Sequence, residues 1–317
     1  MKHDMARARL SLITAMFIWG TIGVLRRFLP VPSGFLAMTR GLLGAAFLLL
    51  LMRLRGKKLS REAIRANGWQ LVVSGAMIGF NWILLFEAYR FTTVAIAELC
   101  YNMMPVFILI AAHFLLHERL TLRKLLCLAA ALLGIALVSE LTTSSLPGGT
   151  DWRGVLLGLA AAVLYAGVVL LNKRIRGIDA YDRTVLQIGS AGAVLIPYVL
   201  LTEDLGTIEF TPIVVVLLLV AGLIHTGIAY ALYFGSMDAL PAQSLALLSY
   251  LDPVLAILFS TLLLREPMTA MQALGAALIL CAAIVAELPE KSPNVPSYAS
   301  IDSANAEETF TVQEETR

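Results

Sequence analysis

TTVAIAELCYNMMPVFILIAAHFLLHERLT runs from Thr92 to Thr121, and LPAQSLALLSYLDPVLAILFSTLLLREPMT runs from Leu240 to Thr269. Laid over one another without a gap, they align Pro105 with Pro253, Glu118 with Glu266 and Thr121 with Thr269. Each holds an apolar run of the ~20 residues needed to cross a bilayer as a helix. The chain therefore carries a duplicated, membrane-crossing unit. Further upstream, FIWGTIGVLRR from Phe17 can be set against VLYAGVVLLNK from Val163.

Working outward from this pair, ten apolar runs can be placed at 10–29, 33–52, 69–88, 93–116, 122–140, 153–172, 183–201, 212–234, 240–264 and 269–287. An odd number of spans per repeat turns the two copies upside down relative to each other. Inverted repeats are the construction of many secondary transporters, which bind solute near the midplane between the copies. The fold predicted is all-α and polytopic, with ten transmembrane helices arranged as two inverted five-helix repeats. The expected division is an N-terminus over 1–9, a first repeat over 10–140, a linker over 141–152, a second repeat over 153–287 and a tail over 288–317. That tail, SPNVPSYASIDSANAEETFTVQEETR in its greater part, is too poor in apolar residues to fold by itself, so it reads as disordered.

Composition agrees with lipid as the solvent. Of 317 residues, 59% are hydrophobic and 15% charged, and mean hydropathy is +0.81. A soluble domain carries roughly 25% charged residues. A net charge of +2 gives no reason to expect nucleic acid as a partner. Cys100, Cys127 and Cys281 all lie in apolar runs, in no metal or redox spacing. The basic start followed by Leu10–Leu29 lacks a small-residue cleavage site, so it reads as a first span rather than a signal peptide.

Orientation follows from Lys and Arg, which concentrate in cytoplasmic loops. Arg53, Arg55, Lys57, Lys58, Arg61 and Arg65 form one cluster, Arg119, Arg123 and Lys124 a second, and Lys173, Arg174, Arg176 and Arg183 a third. The alternate loops SELTTSSLPGGTD and TEDLGTIEFTP contain neither residue. Ten spans with both termini in the cytoplasm put every basic cluster inside, leaving Arg26, Arg27, Arg90, Arg153 and Arg265 as an outer minority. The expected location is the inner or plasma membrane.

Ionisable groups within spans are costly and mark pathways or partners. Arg40 and Glu98 lie at matched depth in spans 2 and 4, about 10 Å in at 1.5 Å per residue, and Asn81 lies at comparable depth in span 3. Two readings stand: a structural ion pair of Arg40 with Glu98 or Glu87, or direct contact of these groups with solute or proton. Glu98, Tyr101, Asn102 and Pro105 recur at i, i+3, i+4 and i+7, on one helical face. Their counterparts are Ala246, Ser249, Tyr250 and Pro253. Two such faces meeting across a pseudo-two-fold axis make a polar site suited to an amine or zwitterion, with Arg40 suited to a carboxylate. The alternative is that Tyr and Asn tie helices together by hydrogen bonds. Trp19, Tyr165, Asn172, Gln187, His225, Gln243 and Asp252 are further cavity candidates, His225 equally readable as a packing residue.

His113, His117 and Glu118 imitate a metal spacing, but HFLLHE is not HExxH. Glu118 coincides with Glu266 in the repeat and reads as a helix-end residue. Ala130 and Gly134, with Ala273 and Ala277, follow the small-xxx-small rule, which serves internal packing or a homodimer equally. There is no GxxxxGK[ST] loop, GxSxG, CxxC pair or dinucleotide fingerprint. Neither a cofactor, a bound metal nor an enzymatic activity is predicted.

Trp19-Gly20, Arg40, Tyr89, Pro105-Val106, His117-Glu118-Arg119-Leu120-Thr121, Asp252-Pro253-Val254 and Arg265-Glu266 occur in order, in a duplicated ten-span frame. In this the chain resembles the EamA family of the drug/metabolite transporter superfamily over roughly residues 10–287. The resemblance implies that spans 1–4 and 6–9 line a central cavity, with spans 5 and 10 as scaffold. It further implies export or exchange of metabolites such as amino acids or related amines. One departure is Glu98, where the family pattern is small or hydroxylated; a carboxylate there points to a different solute or a coupled proton. A lipid-linked carrier or flippase of the same fold is the alternative within transport. An intramembrane enzyme or a receptor-like binding protein that moves nothing is the alternative outside it.

Overall fold

Helix starts are set by local chemistry. The backbone N–H of Ala63 donates to Ser60 Oγ (3.2 Å), that of Ile96 to Thr93 Oγ1 (3.2 Å), and that of Val214 to Thr211 Oγ1 (3.4 Å). Asp179 accepts from Tyr181 N (2.7 Å) and Asp182 N (3.3 Å). In each case a short oxygen-bearing side chain satisfies a first-turn N–H that the helix leaves without a partner.

A computed structural model describes residues 2–56, 59–104, 106–108, 110–111, 122–138, 152–172, 174–237, 240, 248–249 and 251–287. The elements are α1 (Lys2–Gly20), α2 (Ile22–Arg27), α3 (Ser33–Leu54), α4 (Arg61–Phe91), α5 (Val94–Tyr101), α6 (Leu122–Val138), α7 (Trp152–Asn172) and α8 (Ala180–Thr202). They continue with a 3₁₀ turn (Leu205–Thr207), α9 (Pro212–Leu219), a π-helical stretch (Val220–Ile228), α10 (Ala229–Met237), α11 (Leu251–Leu263) and α12 (Ala270–Glu287). No strand occurs among the described residues. The predicted tail at 288–317, the linker at 141–151, and Pro105, His113, His117, Glu118, Gln243, Ala246 and Tyr250 lie outside them.

Among the described residues, six helices are long and apolar enough to cross a membrane: Met5–Arg27, Ser33–Leu54, Arg61–Phe91, Trp152–Asn172, Tyr181–Thr202 and Pro212–Tyr233. Shorter apolar helices accompany them, at Val94–Tyr101, Leu125–Gly134, Leu251–Leu263 and Ala270–Ala282. Large apolar side chains such as Leu122, Leu132, Leu201, Ile213 and Leu262 are exposed on the outer faces, which suits hydrocarbon and not water. The chain is a polytopic all-α membrane protein.

Three boundaries differ from the sequence reading. Helix α1 begins at Lys2 rather than residue 10. Helix α4 begins at Arg61 rather than 69, because Ser60 caps it and Asn67 donates to the Arg176 carbonyl (2.9 Å). Hydropathy marks only the apolar part of a helix whose polar turns continue past the hydrocarbon. Third, the fourth run breaks after Tyr101, where Asn102 turns its Nδ2 back onto the Glu98 carbonyl (2.8 Å).

The packing pairs follow a simple rule. Helix α1 lies on α10 and α11, and α7 lies on α4 and α5. Helix α3 lies on the π-helical stretch, and α8 lies on α4. The pairs α3–α8, α5–α11 and α6–α12 also form. These pairs map onto one another when the two halves of the sequence are exchanged, whereas the contact of α3 with α4 has no counterpart of similar extent among the described residues. At the α3–α8 crossing the glycines let backbones touch: a Cβ on Gly41 would sit 3.0 Å from Gly192 N, and one on Gly192 would sit 2.8 Å from Leu42 N. These two helices are antiparallel. Tyr181, starting α8, donates its hydroxyl to the Leu48 carbonyl late in α3 (3.0 Å), while Glu203, ending α8, accepts from Gly34 N and Phe35 N at the start of α3 (2.8 Å each). Burial pushes the Glu203 carboxyl above its ordinary range, and these two N–H bonds pull it back towards the ionised form. Helices α6 and α12 pack chiefly on each other, Gly134 lying against the Gly275 carbonyl, and share a buried cluster with Ile96, Leu99 and Cys100 of α5.

Candidate functional site

The core of the bundle encloses a cavity of about 460 Å³. Ten of the fourteen polar or aromatic residues singled out from sequence line it. From the first half come Trp19, Arg40, Glu98, Tyr101 and Asn102; from the second come Tyr165, Asn172, Gln187, Ser249 and Asp252. Gln243 and Tyr250 lie outside the described residues. Asn81 and His225 are buried but face away from the cavity. Asn81 Nδ2 donates to the Ala161 carbonyl, tying α4 to α7. His225 Nε2 meets Thr21 Oγ1 (3.0 Å) and Nδ1 meets the Val220 carbonyl (3.2 Å), so this histidine holds the π-helical stretch against α2.

Arg40 is 5% exposed. It is ion-paired with neither Glu98 nor Glu87, contrary to one of the two sequence readings. Its guanidinium carbon lies 4.3 Å from the Trp82 ring centroid and 5.5 Å from that of Phe86. Its Nε donates to Thr226 Oγ1 (3.1 Å), and Thr226 Oγ1 in turn donates to the Ala221 carbonyl (3.1 Å). Glu87 pairs instead with Arg90 one turn away (3.0 Å). Stacking on aromatic faces is a low-cost way to hold a cation away from water while leaving its outer nitrogens for another partner.

Glu98, also 5% exposed, accepts a hydrogen bond from the Tyr89 hydroxyl. Tyr89 belongs to α4 and Glu98 to α5, so the bond closes the corner between them. Gln187 Nε2 donates to Asn172 Oδ1 (2.6 Å) and Ser74 Oγ (2.7 Å), fixing the polar wall at the α7–α8 end. Trp19 donates Nε1 to the His225 carbonyl (2.9 Å). Aromatic rings complete the lining: Trp19 packs on Tyr230 (4.9 Å) and Tyr233 (5.4 Å), and Tyr101 on Tyr165 (5.9 Å).

Sequence reading missed Trp82, Tyr230 and Tyr233 as lining residues. Aromatic residues in apolar runs look like core, and nothing in the spacing separates a ring facing lipid from one facing a cavity. Arg183 and Thr184 also line the α8 end of the cavity.

A multi-pass helical protein with a polar, aromatic-lined cavity in its core has the build of a solute transporter. A sequence profile of the EamA-like transporter family matches residues 7–140 and 152–287, and the chain belongs to this family. It is 30% identical over 254 residues to a Bacillus subtilis protein named Uncharacterized transporter YxxF, covering 80% of this chain and 81% of that one. It is 29% identical over 281 residues to Protein PecM of Dickeya dadantii, covering 85% and 89%. A Salmonella typhimurium protein named Probable amino-acid metabolite efflux pump is 29% identical over 226 residues, covering 67% of this chain and 73% of its own. A solved structure described only as that of a protein superposes with a TM-score of 0.62 at 22% identity, covering 89% of this chain and 96% of its own. That likeness is one of fold.

Proposed function

We propose that the chain is a secondary exporter or exchanger of small polar metabolites, amino acids or related amines, working by alternating access of two inverted five-helix repeats. The carrying observation is charge placement: one cavity presents the aromatic-stacked Arg40 and the two carboxylates Glu98 and Asp252. A zwitterion carries the complementary pair of charges, with Arg40 taking the carboxylate by a forked contact and a carboxylate of the protein taking the amine. The proton is the coupling ion, carried by Glu98. The name of the Salmonella relative agrees with this solute class.

Antiparallel α3 and α8 support the inverted arrangement, as do the helix pairs that map onto one another under exchange of the halves, α1–α10 onto α7–α4 and α1–α11 onto α7–α5 among them. Rocking of one half against the other opens the cavity to alternate sides. Counterflow into proteoliposomes with a labelled amino-acid and amine panel tests the reading. Accumulation of one zwitterion or amine, abolished by Arg40→Gln, is expected. Solute binding without counterflow would make the chain a binding protein, and activity confined to lipid-linked cargo would make it a flippase.

A further inference from the structure

A second cavity of about 410 Å³ lies at the end of the bundle where α2 and α4 finish, lined by Arg26, Arg27 and Arg90 with Pro30, Pro32 and Tyr89. It is far from the Asn67–Arg176 contact at the other end of α4, since 23 residues of helix span about 35 Å.

Its three guanidiniums are not equivalent. Arg27 pairs with Glu266 (2.8 Å) and donates to the Thr92 carbonyl (2.9 Å). Arg90 pairs with Glu87 within one turn, on an exposed surface where such a pair holds little energy and exchanges readily. Arg26 is different: only 8% of it is exposed, and both its bonds go to neutral oxygens, Leu29 O (2.8 Å) and Ser33 Oγ (3.1 Å). Its Nε is buried with no partner at all. The carboxylates that act on it, Glu87 and Glu203, make no direct bond to it: Glu87 pairs with Arg90, and Glu203 accepts from Gly34 N and Phe35 N. A cation withdrawn from water normally has an anion in direct contact, because burial without one is costly.

We propose that this cavity is a binding site for a small oxyanion, a carboxylate or phosphate group, with Arg26 as its counter-ion and Arg27 and Arg90 as flanking donors. Planar guanidiniums match the two-oxygen edge of such groups. Pro30 and Pro32 lack backbone N–H groups, so anion recognition there rests on the arginines. Tyr89 forms part of the wall and gives its hydroxyl hydrogen to Glu98 on the central cavity. One hydrogen bond therefore joins the wall of the anion site to the wall of the solute cavity. The oxyanion comes either from solution or from a phospholipid headgroup at the membrane surface.

The experiment uses the full chain, delipidated in maltoside micelles, with melting temperature followed against inorganic phosphate at constant ionic strength set by chloride. A parallel titration uses phosphatidylglycerol in place of phosphate. A saturable rise with phosphate identifies a soluble anion, and one with phosphatidylglycerol alone identifies the headgroup. In either case Arg26→Gln removes the rise, and Arg90→Gln raises the half-saturating concentration roughly tenfold, as loss of one charge-assisted contact requires. Should Arg26→Gln not fold, Arg27→Gln combined with Arg90→Gln decides by the same criterion. No saturable response to either titrant, or one unchanged in these variants, overturns the site.

Discussion

Tyr89 and Glu98 are bound to each other by the phenol hydrogen, with both side chains nearly sealed from solvent. The bond satisfies a carboxylate that burial alone would leave without a donor, and it locks the turn between α4 and α5. It also separates two roles that mutation can pull apart. In Glu98→Gln the amide oxygen still accepts from Tyr89, so the fold is expected to keep its melting temperature while flux in proteoliposomes loses its pH dependence. In Tyr89→Phe the acceptor is stranded, with an expected loss of about 1–3 kcal/mol in unfolding free energy. A pH profile retained by the Glu98→Gln protein takes the proton away from this residue.

Arg40 is held by shape as well as charge. Lysine in its place keeps the cation but loses the flat contact with Trp82 and the Nε bond to Thr226. Arg40→Lys is therefore expected to raise the half-saturating solute concentration about tenfold or more, the size of one forked, charge-assisted contact. Trp82→Ala is expected to act in the same direction with a smaller effect. Initial rates against solute concentration measure both, and a lysine variant with wild-type saturation excludes the guanidinium from solute binding.

How far could the sequence be read? Hydrocarbon tolerates few charges, so the apolar runs and the rare polar groups inside them stand out, and ten of the residues chosen on that basis face one cavity. Depth along a helix is a single coordinate, however. Arg40 and Glu98 share a depth but turn to different neighbours, one to Thr226 and the other to Tyr89. The π-helical stretch adds a further obstacle. Each π turn rotates the following residues relative to an ideal α-helix, so the face of His225 could not be read from a period of 3.6, and the ring ends against Thr21.

The α3–α8 crossing depends on the absence of side chains. Gly41→Val is expected to destabilise by about 1–3 kcal/mol, since its Cβ meets backbone atoms that cannot swing aside. Gly189→Ala, on the same α8 and facing the Ala45 Cβ at 3.5 Å, an ordinary contact, is expected to be neutral or to stabilise by up to about 1 kcal/mol through helix propensity. Thermal melts of the two purified variants decide. Equal effects would mean that close approach is not what the glycines supply.

Glu266 reaches from the second half to the first. Its carboxylate accepts from Arg27 (2.8 Å), from the Val94 N–H that opens α5 (2.9 Å), and from Ser260 Oγ. Removing it strands several donors, one of them an N–H at a helix start. Glu266→Ala is expected to lower unfolding free energy by roughly 2–3 kcal/mol. Arg27, by contrast, is one-third exposed, and Arg27→Ala is expected to cost below about 1 kcal/mol. Denaturant melts in micelles compare the two; a larger loss for Arg27 would place the bond energy in the ion pair rather than in the helix-start contact.

The sidedness of the bundle follows from the antiparallel α3 and α8. Because Leu48 meets Tyr181 and Gly34 meets Glu203, the residues after α3 and before α8 emerge at the same end, and those after α8 emerge at the other. With Cys100, Cys127 and Cys281 replaced, single cysteines at Arg55 and Arg174 are expected to react with an impermeant maleimide only when the cytoplasmic face is open. One at Glu209 is expected to react from outside intact cells. All three positions are exposed. Since Lys and Arg concentrate in cytoplasmic loops, the end carrying Arg55 and Arg174 is the one expected in the cytoplasm. Labelling of Arg55 and Arg174 from opposite faces would break the link between the packing of equivalent helices and the two-fold exchange, and with it the alternating-access reading.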